Sequence, residues 1–181
     1  MKLVNMTDEV SKFIVFLENQ NVKPGENIDE WMLRLHSTIG KVCGSITSID
    51  SLGLARNIGV AFWDIAAFVY VTNKGNLHPF LSSLVRMNGV RKWSNDPIVI
   101  QGSKLVNAAV RTIALGQCRT GKYTDKCEIE LTTLTYRLAS VARTNGLVVD
   151  RVIKNGRETW VKEQNKGDFL SYLELHKMIK G

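Results

Sequence analysis

Apolar residues recur along this chain at helical spacing more often than at strand spacing. Across residues 8–19, "DEVSKFIVFLEN", Val10, Phe13, Ile14, Phe16 and Leu17 fall on roughly one helical face. The acidic pair Asp8 and Glu9 stands where a helix N-terminus prefers negative charge. "NVKPGEN" (21–27) breaks the pattern at Pro24-Gly25. The pattern resumes over 28–46 with Trp31, Leu35, Ile39 and Val42, again behind two acids, Asp29 and Glu30. Residues 51–76 contain the longest apolar run, "VAFWDIAAFVYV" (60–71), and predict a buried helix closed at Gly75. Its tail, "FVYVT", is β-branched and aromatic, so a strand and a mixed α/β fold remain an open alternative. After Pro79, Phe80, Leu84, Val85 and Met87 return to helical spacing, and "SNDP" (94–97) interrupts the chain near its midpoint.

The second half runs in a similar order. A helix and Gly-bearing loop occupy 103–122, a second long helix 125–146, a closing segment 147–163, and a terminal apolar-patterned helix 166–181. "MNGVRKW" (87–93) returns as "KNGRETW" (154–160), since 155 − 88 and 160 − 93 both give 67. An isolated N-G is a common turn dipeptide, but the shared order and register favour an internal duplication over coincidence. The expected organisation is an N-terminal helix and loop (1–27), a first repeat (28–97), a second repeat (98–165) and a C-terminal helix (166–181). The repeated N-G-x-x-x-W, with Asn88 and Asn155, is expected to mark the start of the last helix in each repeat, and Trp93 and Trp160 to cap the repeat cores.

Composition narrows the class. The chain has 181 residues, 44% hydrophobic and 23% charged, as in an ordinary globular protein. Its net charge of +7 favours an anionic partner such as a nucleotide, nucleic acid, acidic protein or membrane surface. Cys43, Cys118 and Cys127 form no C-x-x-C pair and suggest neither a disulfide framework nor a zinc site. With no signal peptide evident, and an apolar run judged too short for a bilayer and interrupted by Asp64, the expectation is a soluble cytoplasmic protein without a membrane partner.

Two stretches carry a family resemblance. "NIGVAFWDIA" (57–66) and "ELTTLTYRLA" (130–139) are each similar to the E-L-G-D-V-L-W-Y-L-A helix of the MazG-like, all-α nucleotide pyrophosphohydrolases, with Trp63 and Tyr136 at the aromatic position. "TNG" (144–146) followed by "LVVDRVIKN" resembles that family's run from a helix end to its Asn. The resemblance covers about 28–93 and 103–165. It implies an all-α helical bundle of two diverged MazG-like repeats, in which tandem fusion mimics the family's dimer. The chain would then be a monomer, or a homodimer of such fusions.

The departures from that pattern change the expected chemistry. The family holds Mg²⁺ between carboxylates of two helices to activate water against a phosphate linkage. Its first glutamate motif falls here on Ser37 and Lys41, and again on Asn107 and Arg111; the following aspartate falls on Val60 and Thr133. The glutamate before it becomes Asn57 and survives only as Glu130. One carboxylate cannot cage Mg²⁺, so no metal, no cofactor and no catalytic residue are expected. Lys and Arg can neutralise phosphate directly. The resemblance therefore implies a pseudoenzyme that captures a phosphorylated nucleotide, a nucleotide-derived signal or another anion. Lys41, Arg111 and Arg91 are the expected phosphate contacts, Asn88 and Asn155 further ligand contacts, and Trp63 and Tyr136 candidate base-stacking surfaces. The competing reading makes those two rings core residues.

Two other functions fit the same residues. Arg86, Arg91 and Lys92, then Arg151, Lys154, Arg157 and Lys162, lie close to tryptophans, as suits nucleic-acid binding. A basic helical module that inhibits a host factor, of phage origin, is the third reading. No G-x-x-x-x-G-K-[ST], G-x-G-x-x-G or H-E-x-x-H is present.

Overall fold

The computed structural model describes residues 3–90, 92–112 and 125–165, which form seven α-helices and, among those residues, no strand. They are α1 (Leu3–Asn19), α2 (Ile28–Thr47), α3 (Ser51–Thr72), α4 (His78–Asn88), α5 (Ile98–Arg111), α6 (Asp125–Thr144) and α7 (Val149–Asn165). The fold is an all-α bundle. The expected helix at 166–181 and the loop after α5 lie outside the described residues.

Helix α3 is the hub because it is apolar on every side. Phe62, Trp63, Ile65, Ala66, Phe68 and Val69 have no exposed surface. That all-round burial decides the fate of "FVYVT": its β-branched side chains gain more from packing than their propensity costs, and the helix continues to Thr72. Helix α3 is long and apolar enough to cross a membrane by composition alone, which corrects the expectation from run length. However, 72% of its apolar window is buried inside the bundle, as in a core helix.

Local chemistry sets the helix ends. The Asp50 side chain accepts from the Gly53 amide at 2.9 Å and caps the start of α3. Helix α2 ends with the Asp50 amide bonded to the Ser45 carbonyl and Ile49 at φ 55°. A β-branched residue pays about 1–2 kcal/mol in that left-handed region, and Ile49 is 89% exposed, so packing returns little. Ile49→Gly is expected to stabilise the protein by about 1 kcal/mol after the entropic cost of glycine, raising Tm by about 2–4 °C in a thermal melt. A lowered Tm would mean that Ile49 makes contacts its exposure hides.

The packing relations have a simple regularity. Helix α2 packs on α3, and α5 on α6; α3 packs on α7, and α6 on α4. Helix α2 also meets α5, α3 meets α6, and α1 touches both α4 and α7. Exchanging α2 with α5, α3 with α6 and α4 with α7 maps these relations onto themselves. The last helix of each half thus packs mainly on the long helix of the other half.

The N-G-x-x-x-W stretches do not follow that exchange, and the expectation that they begin equivalent helices is corrected. Asn88 is the last residue of α4, whereas Asn155-Gly156 lies in mid-helix of α7. Gly156 serves contact rather than turning. A Cβ on Gly59 would stand 2.6 Å from the Val152 carbonyl oxygen and 2.8 Å from Gly156 Cα, so α3 and α7 cross backbone to backbone at this glycine pair. Trp63 Nε1 donates to the Ile153 carbonyl at 2.7 Å beside the crossing. Trp160 is buried among Phe13, Phe16 and Trp31.

Candidate functional site

The one acid in the apolar run of α3, Asp64, is 1% exposed. A buried carboxylate needs partners, and the neighbouring helices supply three donors. Arg34 Nε and Trp160 Nε1 donate to one carboxylate oxygen at 2.9 and 2.7 Å, and Thr38 Oγ1 donates to the other at 2.5 Å. Arg34 and Thr38 lie on α2 one turn apart, and Trp160 comes from α7, so the carboxylate ties three helices together.

Arg34 also faces outward. Its Nη1 donates to Gln164 Oε1 at 2.9 Å, and its guanidinium lies 4.8 Å from the Trp160 ring centroid and 5.6 Å from that of Trp31. The two indoles are 16° from parallel with centroids 6.2 Å apart. Among the described residues no hydrogen bond engages Arg34 Nη2. The group forms one wall of a cavity of about 300 Å³, closed by Phe16 and rimmed by Lys23, Asn27 and the carboxylates Glu26 and Glu30. This is at the small end of the range for small-molecule sites.

The residues expected from sequence fall elsewhere. Lys41 and Arg111 are exposed, on α2 and at the end of α5, and neither lines this cavity or the two others described. Ser37 and Asn107 are exposed as well. The pair on α2 that faces α3 is Arg34 and Thr38, three positions before Ser37 and Lys41; the inward face was misplaced by nearly one turn. Trp63 is corrected too, since it is fully buried with its N–H bonded to backbone and offers no stacking surface. Tyr136 is half-buried and stacks on Trp93, with centroids 5.3 Å apart. Asn88 lines a second cavity near that pair, whereas Asn155 is exposed on α7. Arg91 lies outside the described residues.

Comparison with protein-family models, with curated proteins and with solved structures gives no significant match to this chain. The cavity therefore has to be read on its own chemistry. Among the described residues, no group of three or more His, Cys, Asp or Glu side chains converges as a metal cage would need. Burial pushes the Cys43 thiol above its ordinary value, which disfavours the reactive thiolate.

Sequence reasoning missed Arg34, Trp31, Asp64 and Trp160 as a site. Two signals were present: an acid inside the most apolar run of the chain, and an aromatic–arginine pair at i, i+3 on one helix.

Proposed function

We propose that this chain captures a phosphorylated nucleotide intact in the Trp31–Arg34–Trp160 cavity, and that its halves are diverged MazG-like repeats. The observation that carries the capture reading is Arg34: its guanidinium is fixed by Asp64 and Gln164 beside two near-parallel indoles, with one terminal nitrogen left for a ligand. An arginine held by a buried carboxylate needs no reorganisation to meet a phosphate, and the half-buried Trp31 indole, backed by the buried Trp160, accepts a base by stacking. The duplication reading draws on the exchange of helix relations between halves, and no longer on the N-G-x-x-x-W match.

The rim refines the ligand class. Arg34 is already paired with Asp64, and Lys23 faces both Glu26 and Glu30, so the cavity as a whole does not favour several negative charges. A nucleoside monophosphate or a cyclic nucleotide fits that balance better than a triphosphate. The two glutamates and Asn27 then serve as partners for ribose hydroxyls or base edges.

The test is thermal melting against mono-, di-, tri- and cyclic nucleotides in chelator. At about a hundred times its Kd, a bound ligand should stabilise by roughly 2.7 kcal/mol, a shift of several degrees. The largest shift is expected from a monophosphate or cyclic nucleotide recovered intact. A flat panel, or a response only to triphosphates, would contradict this reading.

A further inference from the structure

The second half carries another aromatic–arginine cluster, in a more open setting. Trp93, in the segment between α4 and α5, stacks on Tyr136 of α6 with the rings only 10° from parallel. Each ring has its own cation: the Arg143 guanidinium is 4.6 Å from the Trp93 centroid, and that of Arg137 is 5.4 Å from Tyr136. Helix α6 positions both arginines. It ends with Gly146 at φ 71° and the Leu147 amide bonded to the Ala142 carbonyl, which leaves Arg143 exposed in the last turn. Beside it runs a groove of about 660 Å³, lined by Asn88, Trp93, Arg143, Leu147, Val149 and Asp150 among others.

Two carboxylates near this cluster are engaged chiefly by other cations. Asp96 is engaged first by Lys104 and Ser94, whose hydrogen bonds hold its carboxyl below the usual range, with the nearby charges of Lys104 and Arg137 contributing less. Glu128 pairs with Arg86. Among the described residues, neither Arg137 nor Arg143 has an ion pair. Among the described residues the groove lining holds one acid, Asp150, and one arginine, Arg143, while Arg137 and the exposed Lys92 add positive charge in the adjoining cluster and segment.

We infer that the Trp93–Tyr136–Arg143 cluster and the groove beside it form a binding site for single-stranded nucleic acid, separate from the nucleotide cavity. A guanidinium lying over a ring offers its plane to a base and its edges to a phosphate. Two such ring–cation units side by side suit successive nucleotides better than one small molecule. Unpaired bases supply the stacking faces that a duplex conceals. The phosphates supply the charge that Arg137, Arg143 and Lys92 lack.

Fluorescence anisotropy with a labelled oligothymidylate of about 12 nucleotides, at about 50 and 200 mM salt, tests this. Binding should weaken as salt rises. Trp93→Ala and Arg143→Glu should each weaken it about tenfold or more, within the span expected for losing a stacked base or a phosphate contact. Trp93→Phe, which keeps a ring, should retain most of the affinity and guards against a folding defect in the alanine variant. Lys162→Glu makes the same charge change on an exposed position of α7 outside the groove lining, and Trp31→Ala alters the other cavity; both should bind nearly as well as the wild type. The inference is overturned by no binding at low salt, or by equal losses in Arg143→Glu and Lys162→Glu. It is also overturned by duplex DNA binding as tightly, or by thymidine monophosphate competing at the same concentration. Loss in Trp31→Ala alone would assign the polymer to the first cavity and overturn it as well.

Discussion

Asp64→Ala is expected to destabilise the protein by about 3–5 kcal/mol, the range for breaking a buried, hydrogen-bonded charge pair. The cost lies in what the carboxylate leaves behind. Trp160 Nε1 and Thr38 Oγ1 are buried with Asp64 as their acceptor, and each becomes an unsatisfied polar group. Arg34 suffers less, because its side chain is 31% exposed and can turn toward water. Asp64→Asn keeps one acceptor and should cost less than Asp64→Ala. Urea unfolding measures both, and a fall in midpoint at constant slope would mark a true stability loss. A cost below about 1 kcal/mol for the alanine variant would mean that the three donors find other acceptors, and the tie between α2, α3 and α7 would fail.

Gly156→Ala should cost about 3 kcal/mol, the upper end for overpacking, because the obstacle is backbone and cannot swing aside. The added Cβ would stand 2.5 Å from Gly59 Cα. Helices α3 and α7 would have to separate along their whole contact, disturbing Trp63–Ile153 and Trp160–Asp64 together. Gly59→Ala should cost a similar amount, and the double variant less than the sum, since both relieve one contact by one movement. Gly40→Ala is the control: nothing lies within 4 Å of its Cβ position, and helix propensity predicts stabilisation of about 0.5–1 kcal/mol. If Gly156→Ala melts like Gly40→Ala, the helices do not cross this closely.

Much of the helix layout was legible because burial follows period. The α2 face bearing Leu35, Ile39 and Val42 was readable at i, i+4, i+7, and all three residues are buried. The strand alternative at "FVYVT" arose from local propensity, which tertiary burial overrides. The role of Asn155-Gly156 was misread because glycine has two uses, turning a chain and admitting another backbone, and only the partner Gly59 distinguishes them. Lys41 and Arg111 were chosen from a register that a shift of three residues moves from the exposed face to the inward one. Trp160 joining Asp64 depends on two helices 96 residues apart in sequence meeting in space, which no local pattern records.

The cluster around Asp64 has a structural consequence and, in the proposed capture of a nucleotide, a binding one. Its carboxylate fixes Arg34, and Arg34 in turn presents a rigid donor beside Trp31 and Trp160. A ligand meeting that wall displaces little, so affinity would draw on preorganisation rather than on area. Trp31 is the residue through which binding can be probed without breaking the helix tie, since it makes no hydrogen bond to Asp64 and is only half-buried.

The most direct test of nucleotide capture is calorimetric titration of nucleoside monophosphates and cyclic nucleotides in chelator, into the wild type and Trp31→Ala, with the ligand analysed afterwards. The prediction is saturable one-to-one binding of at least one ligand, recovered uncleaved, and weakened about fivefold or more by loss of the Trp31 ring. No heat with any of them, equal affinity in the Trp31→Ala protein, or a cleaved ligand would contradict it.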